Sequence, residues 1–68
     1  TGMSVIDYIN HCRISKAGLL LMDGNISIKD VAYSVGFTDQ MYFSRVFKKI
    51  KGQTPSEYRK ENKGKYII

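Results

Sequence analysis

The side chains best suited to chemistry in this chain of 68 residues are cations crowded into one short stretch: Arg45, Lys48, Lys49 and Lys51. A guanidinium offers a planar fork that matches a base edge or a phosphate, and an ammonium is a compact charge suited to phosphate. They share their stretch with Phe43, Val46, Phe47 and Ile50, whose spacing of i, i+3, i+4, i+7 marks the buried face of an amphipathic helix. At about 100° per residue, Met41, Arg45 and Lys48 fall opposite Phe43 and Phe47, with Gln40 and Ser44 beside them. The chemistry on offer is recognition of a polyanion by a solvent-facing helix surface.

Bond-making chemistry has little material. Asp7 and His11 are four apart on a helical pattern and suit a solvated pair. His11 and Cys12 are adjacent, so their side chains diverge on a helix and do not form a nucleophile and base. One His and one Cys do not make a metal site. We therefore expect no enzyme, no catalytic residue, no metal and no cofactor.

The net charge of +5 is unevenly placed. Residues 42–68 hold eight Lys/Arg against Glu57 and Glu61, whereas residues 1–41 hold three against four Asp. Lys60, Lys63 and Lys65 fit a solvated tail as well as they fit nucleic acid. Arg45, Lys48, Lys49 and Lys51 lie within a patterned helix and favour nucleic-acid contact. No apolar run approaches the roughly 20 residues of a membrane span. A lone cysteine and no readable signal peptide lead us to expect a cytoplasmic protein without a membrane partner.

The elements that must position the cations follow from capping signals. Ser27 with Asp30 three residues on reads as a capping box, stapled by Ile26 and Val31, and opens a helix of about eight residues bearing Ile28, Val31, Ala32 and Val35. Gly36 stands where that helix must end in a left-handed turn. Thr38 is the expected cap of the next helix, with Asp39 in its first turn. Two short helices joined at Gly36-Phe37, the second with a basic outer face, form a helix-turn-helix and point to DNA. Upstream, Ser4 and Asp7 start a long helix to about Asp23, closed by Gly24-Asn25. One of its faces carries Ile6, Ile14, Ala17, Leu20 and Leu21 and can pack on the motif. Val5, Tyr8, Ile9, Cys12 and Leu19 form a second stripe with no obvious partner. Downstream, Thr54-Pro55-Ser56-Glu57 opens a short helix to about Glu61. Gly2-Met3-Ser4-Val5-Ile6-Asp7-Tyr8 also recurs as Gly52-Gln53-Thr54-Pro55-Ser56-Glu57-Tyr58, which suggests a duplicated unit of about 50 residues.

One family shares this pattern. Arg13-Ile14, Ala17, Leu20-Leu21, Ile28, Val31-Ala32, Gly36-Phe37, Tyr42-Phe43-Ser44-Arg45, Phe47-Lys48, Gly52, Thr54-Pro55 and Tyr58-Arg59 resemble the arabinose-regulator (AraC-type) transcription factors of bacteria. The resemblance covers about residues 2 to 60. It implies an all-α fold, a small helical bundle in which a long bridging helix precedes a homeodomain-like helix-turn-helix. Residues 1–23 would be the end of a first repeat and the bridging helix, 24–62 the helix-turn-helix with a short C-terminal helix, and 63–68 a flexible tail. By the same resemblance residues 39–50 would enter the major groove of double-stranded DNA, with Gln40, Met41, Ser44 and Arg45 at base edges. Lys48 and Lys49 would lie near phosphate, with Lys51 and Thr38 as further phosphate contacts. Met41 departs from the small polar residue common at its position and suits a thymine methyl. Tyr42 is either a phosphate contact or a half-buried ring at the core edge. The alternative role is a protein-interaction module that touches RNA polymerase or a partner subunit. The unpartnered stripe makes a homodimer through residues 4–19 a further expectation.

Overall fold

A computed structural model describes residues 2–62, so the expected tail at 63–68 lies outside the described residues. The fold is all-α, with α1 at Val5–Leu21, α2 at Ile28–Ser34, α3 at Gln40–Lys51 and α4 at Pro55–Asn62. Its core joins Ile14, Ala17 and Leu21 of α1, Val31 and Ala32 of α2, Val35 and Phe37 of the turn, and Phe43, Val46 and Phe47 of α3. Ala32 is fully buried, as a close crossing of two helices requires. Only the C-terminal half of α1 reaches this core. Ile6, expected on the packed face, is 67 % exposed because α1 runs past the body before its stripe meets a neighbour. The second stripe is open too, with Val5, Tyr8 and Leu19 all more than half exposed and Cys12 exposed.

Three hydroxyls cap helices as their spacing requires. Ser4 Oγ accepts from the Asp7 amide at 3.0 Å, Ser27 Oγ from Asp30 at 3.0 Å, and Thr54 Oγ1 from Glu57 at 3.2 Å. The returning half of the capping box forms at Glu57, whose Oε1 accepts from the Thr54 amide at 2.9 Å. Asp7 and Asp30 are one methylene shorter and make no such bond. The Thr54 amide bond, then the Thr54 hydroxyl, hold the Glu57 carboxyl below its ordinary pKa, with the Lys48 charge adding to them. The recurrent segment has a left-handed glycine before a hydroxyl cap at both sites. Gly2 and Gly52 have φ of +85° and +82°, each two residues before a hydroxyl cap.

α1 stops at Leu21, two residues before Asp23. Asp23 Oδ1 instead accepts from the Asn25 amide at 2.9 Å, a local bond that competes with continued helix. The last carbonyl of α1 and two carbonyls of the loop after it are taken by a side chain from α4. Arg59 Nε donates to the Leu21 carbonyl at 2.9 Å, and its Nη2 donates to the carbonyls of Asp23, at 3.2 Å, and of Ile26. The Leu21 bond satisfies a carbonyl that the helix C-terminus leaves unpaired, and the other two pin the loop to α4.

The α2–α3 turn is a Schellman closure. The Phe37 amide donates to the Ala32 carbonyl at 2.9 Å and the Gly36 amide to Tyr33 at 3.1 Å, while Phe37 packs down beside Ala32. Gly36 has φ of +102°, and a Cβ there would lie 3.1 Å from Arg13 Nε. Gly36→Ala should therefore cost about 1–3 kcal/mol, read as a lower denaturation midpoint. A variant melting like the parent would show that the turn tolerates a side chain. Acid stability offers a second check. Because the folded pKa of Glu57 is lowered, its contribution is complete above the ordinary carboxylate range and is lost as pH falls through the folded value. Melting temperature should thus fall further in the parent than in Glu57→Gln between about pH 6 and about pH 3.

Candidate nucleic-acid interface

α3 carries the basic residues, and its roll is fixed from beneath. Phe43 and Phe47 are fully buried and Val46 nearly so. Phe37 meets Phe43 at 5.3 Å between ring centroids, Phe43 meets Phe47 at 5.7 Å, and Phe47 meets Tyr58 edge-on at 5.3 Å. Tilted and edge-on pairs at these distances are the favourable arrangements. With this side seated, the opposite side of α3 faces solvent.

The ends of α3 are set by local bonds. Its N-cap is Asp39, whose Oδ1 accepts from the amides of Met41 at 2.9 Å and Tyr42 at 3.4 Å. This corrects the expectation that Thr38 caps the helix. Both residues are able caps, and the extended backbone of Asp39, φ −127° and ψ 113°, puts the last non-helical residue one position later. At the far end the Gly52 amide donates to the Lys48 carbonyl at 2.8 Å, and Lys48, Lys49 and Lys51 occupy the last turn, favourable to the helix dipole.

Gln40, Met41, Ser44, Arg45, Lys48 and Lys49 line one open depression on the outer face, joined by Thr54 from the α3–α4 loop. Among the described residues, no acidic side chain lines it. Such a surface presents a fork, an amide, a hydroxyl, a thioether and two ammonium groups to one ligand. Met41 is 72 % exposed there, which is unusual for a methionine without a partner. Two expected contacts lie elsewhere. The Lys51 ammonium sits 5.7 Å from the centre of the Tyr58 ring, and Thr38 lines a separate hollow with Tyr33, Gly36 and Phe37. The Tyr42 ring tilts against Phe37 at 5.8 Å and is 47 % exposed, a half-buried ring over the core edge.

Sequence reasoning missed three contributors. Thr54 carried a capping signal that masked its position beside the basic face. Gly18 is buried on the face of Ile14 and Ala17, and a Cβ there would lie 3.3 Å from the Tyr58 hydroxyl. Its spacing from Ile14 could have revealed it. The Arg13 guanidinium lies 5.8 Å from the Phe37 ring centre and borders the turn, which no periodicity signals.

A family model described as a helix-turn-helix domain matches residues 1–61, from before α1 into α4. The chain belongs to the AraC-type helix-turn-helix family. It is 52 % identical over 58 residues to the arabinose operon regulatory proteins of Escherichia coli K12 and Salmonella typhimurium LT2, which covers 85 % of this chain and 20 % and 21 % of those proteins. It is 39 % identical over 61 residues to the Msm operon regulatory protein of Streptococcus mutans, covering 90 % of this chain and 22 % of that relative. The chain thus spans about a fifth of the length of the curated relatives it matches. No solved structure gave a significant match. Among the described residues, no helix is long and apolar enough to cross a membrane.

In this AraC-type unit the start of α3 decides which residues lead its outer face, so the cap assignment is worth measuring. Asp39→Ala should cost about 0.5–2 kcal/mol of stability, while Thr38→Ala, which removes no cap, should stay within about 0.5 kcal/mol. A larger loss for Thr38→Ala than for Asp39→Ala in urea denaturation would return the cap to Thr38.

Proposed function

We propose that this AraC-type domain binds double-stranded DNA as part of a transcriptional regulator, with α3 lying in the major groove. The observation that carries the reading is the depression in which Gln40, Met41, Ser44 and Arg45 gather beside Lys48 and Lys49 without an acid among them. The relatives' names, regulatory proteins of operons, support the same role. A helix about 10–12 Å across fills a major groove about 12 Å wide, so residues on its outer face reach base edges.

Each side chain has a defined task in this arrangement. Arg45 lies mid-helix, and its fork pairs with guanine O6 and N7. Gln40 offers the amide that suits adenine, Ser44 a hydroxyl that accepts either partner, and Met41 a methyl surface for thymine. Lys48 and Lys49 neutralise phosphates, with Lys51 and Thr38 available from the flanks of the helix. Phosphate contacts hold the helix in register, and base contacts select the sequence.

Titration of a DNA site selected by the domain from a random library tests this assignment. Arg45→Ala should weaken binding there by about 1–3 kcal/mol and lose less on sites altered at the contacted base pair. Lys48→Ala should weaken all sequences alike and lower the salt slope by about 1. A uniform loss for Arg45→Ala would make it a phosphate contact, and no loss for either variant would overturn DNA binding by this face.

A further inference from the structure

A second groove runs along the other edge of α3. It is about 550 Å³ in volume and lies between α3 and the overhanging first turns of α1. Asp7, Asn10 and His11 of α1 line one wall, and Tyr42, Arg45 and Lys49 of α3 line the other. Arg45 and Lys49 also line the outer depression, so the two surfaces are continuous through these cations. A helix that fills the major groove has a phosphate strand along each of its edges. On one edge of α3 that strand meets Lys48 and Thr54. On the other it meets Tyr42 and Lys49, where α1 stands across the gap.

We infer that α1 belongs to the DNA footprint, and that Asn10 and His11 donate hydrogen bonds to phosphate oxygens of the strand lying in this groove. The inference rests on the proposed seating of α3. Charge selects the occupant: among apolar residues such as Ile6 and Val46, two cations and three neutral donor side chains, Asn10, His11 and Tyr42, line the groove against one carboxylate, Asp7, so an anion is favoured. An imidazole offers an N–H in either protonation state, and the Asn10 amide offers two. Asp7 opposes the strand. Its capping role runs through its backbone amide, which donates to Ser4, so its charge can be removed while the cap stays.

The test is binding of the 68-residue chain to a short mixed-sequence duplex over a range of salt concentrations. The variants are the pair Asn10→Ala with His11→Ala, Asp7→Asn, Arg45→Ala, and Lys16→Ala on the opposite side of α1. His11 is exposed and Asn10 half-buried, so neither truncation empties the core. The paired truncation should weaken binding about threefold to tenfold. Asp7→Asn should strengthen it about twofold, a gain that misfolding does not mimic. Lys16→Ala should change little. The inference is overturned if the paired truncation and Asp7→Asn both bind like the parent while Arg45→Ala is weakened, which leaves the groove to a partner other than DNA. It is also overturned if Lys16→Ala loses as much as the pair, since the loss then does not depend on which side of α1 is altered. Unchanged binding in Arg45→Ala as well would instead condemn the DNA-binding reading itself.

Discussion

The column of rings from Phe37 through Phe43 and Phe47 to Tyr58 is the constraint on which the rest of the molecule depends. Burying one such side chain is worth about 1.5–3 kcal/mol, and each well-placed pair adds about 0.5–1.5. An exposed ion pair is worth about 0–1 kcal/mol. The rings therefore decide the roll of α3, and the charges on its outer side have no comparable say. That division leaves Arg45, Lys48 and Lys49 free to answer to a ligand. It also makes Phe43 and Phe47 determinants of which side chains α3 presents outward, although neither touches solvent.

The flanking helices cannot stand without that column. α2 has seven residues and α4 has eight, both well under the 12–15 or so at which an isolated helix becomes marginal. Caps choose where they begin, and packing makes them persist. α4 is held by the buried Pro55, by Tyr58 against Phe47, and by Arg59 on the carbonyl at the end of α1. The Arg59 contact ties the first helix to the last across the width of the core. Gly18 is part of the same arrangement, because a larger residue would crowd the Tyr58 hydroxyl.

What was legible in the sequence was what is local. The hydroxyl-to-acid spacing placed three helix starts, Gly36 placed the turn, and the 3.6-residue period placed the outer face of α3. Local signals were ambiguous where two able caps stood together, and Asp39 prevailed over Thr38 through backbone conformation alone. Charge alone does not give a side chain's direction. Lys51 carries the same charge as Lys48, yet its ammonium lies over the Tyr58 ring of α4. Ile6 shows the other limit, since its period matches the buried stripe and its exposure depends on how far α3 extends beside α1. The groove holding Asn10 and His11 needs the relative placement of two helices, which no single-helix pattern encodes. The recurrent segment makes the same point from one residue type. Tyr8 and Tyr58 follow the same glycine, cap and acid, but Tyr58 packs on Phe47 while Tyr8 is 63 % exposed.

Electrostatics on the recognition side depends on where one carboxylate is kept. Glu57 is close enough to Lys48 for the lysine's charge to help lower its pKa, so it is a potential competitor for that cation. Its Oε1 is engaged with the Thr54 amide at 2.9 Å, and the Thr54 hydroxyl accepts in return from the Glu57 amide. A carboxylate directed at its own helix start serves the dipole of α4 and gives Lys48 no fixed partner. Thr54 thereby has two duties from one position: its hydroxyl and amide hold Glu57 in the cap, and its side of the loop borders the basic depression. An aspartate in place of Glu57 would lose the reach to the amide, as Asp7 and Asp30 do at their own caps. Its charge would then be free to turn toward Lys48. The extra methylene of glutamate thus keeps a capping acid apart from the Lys48 cation on the neighbouring helix.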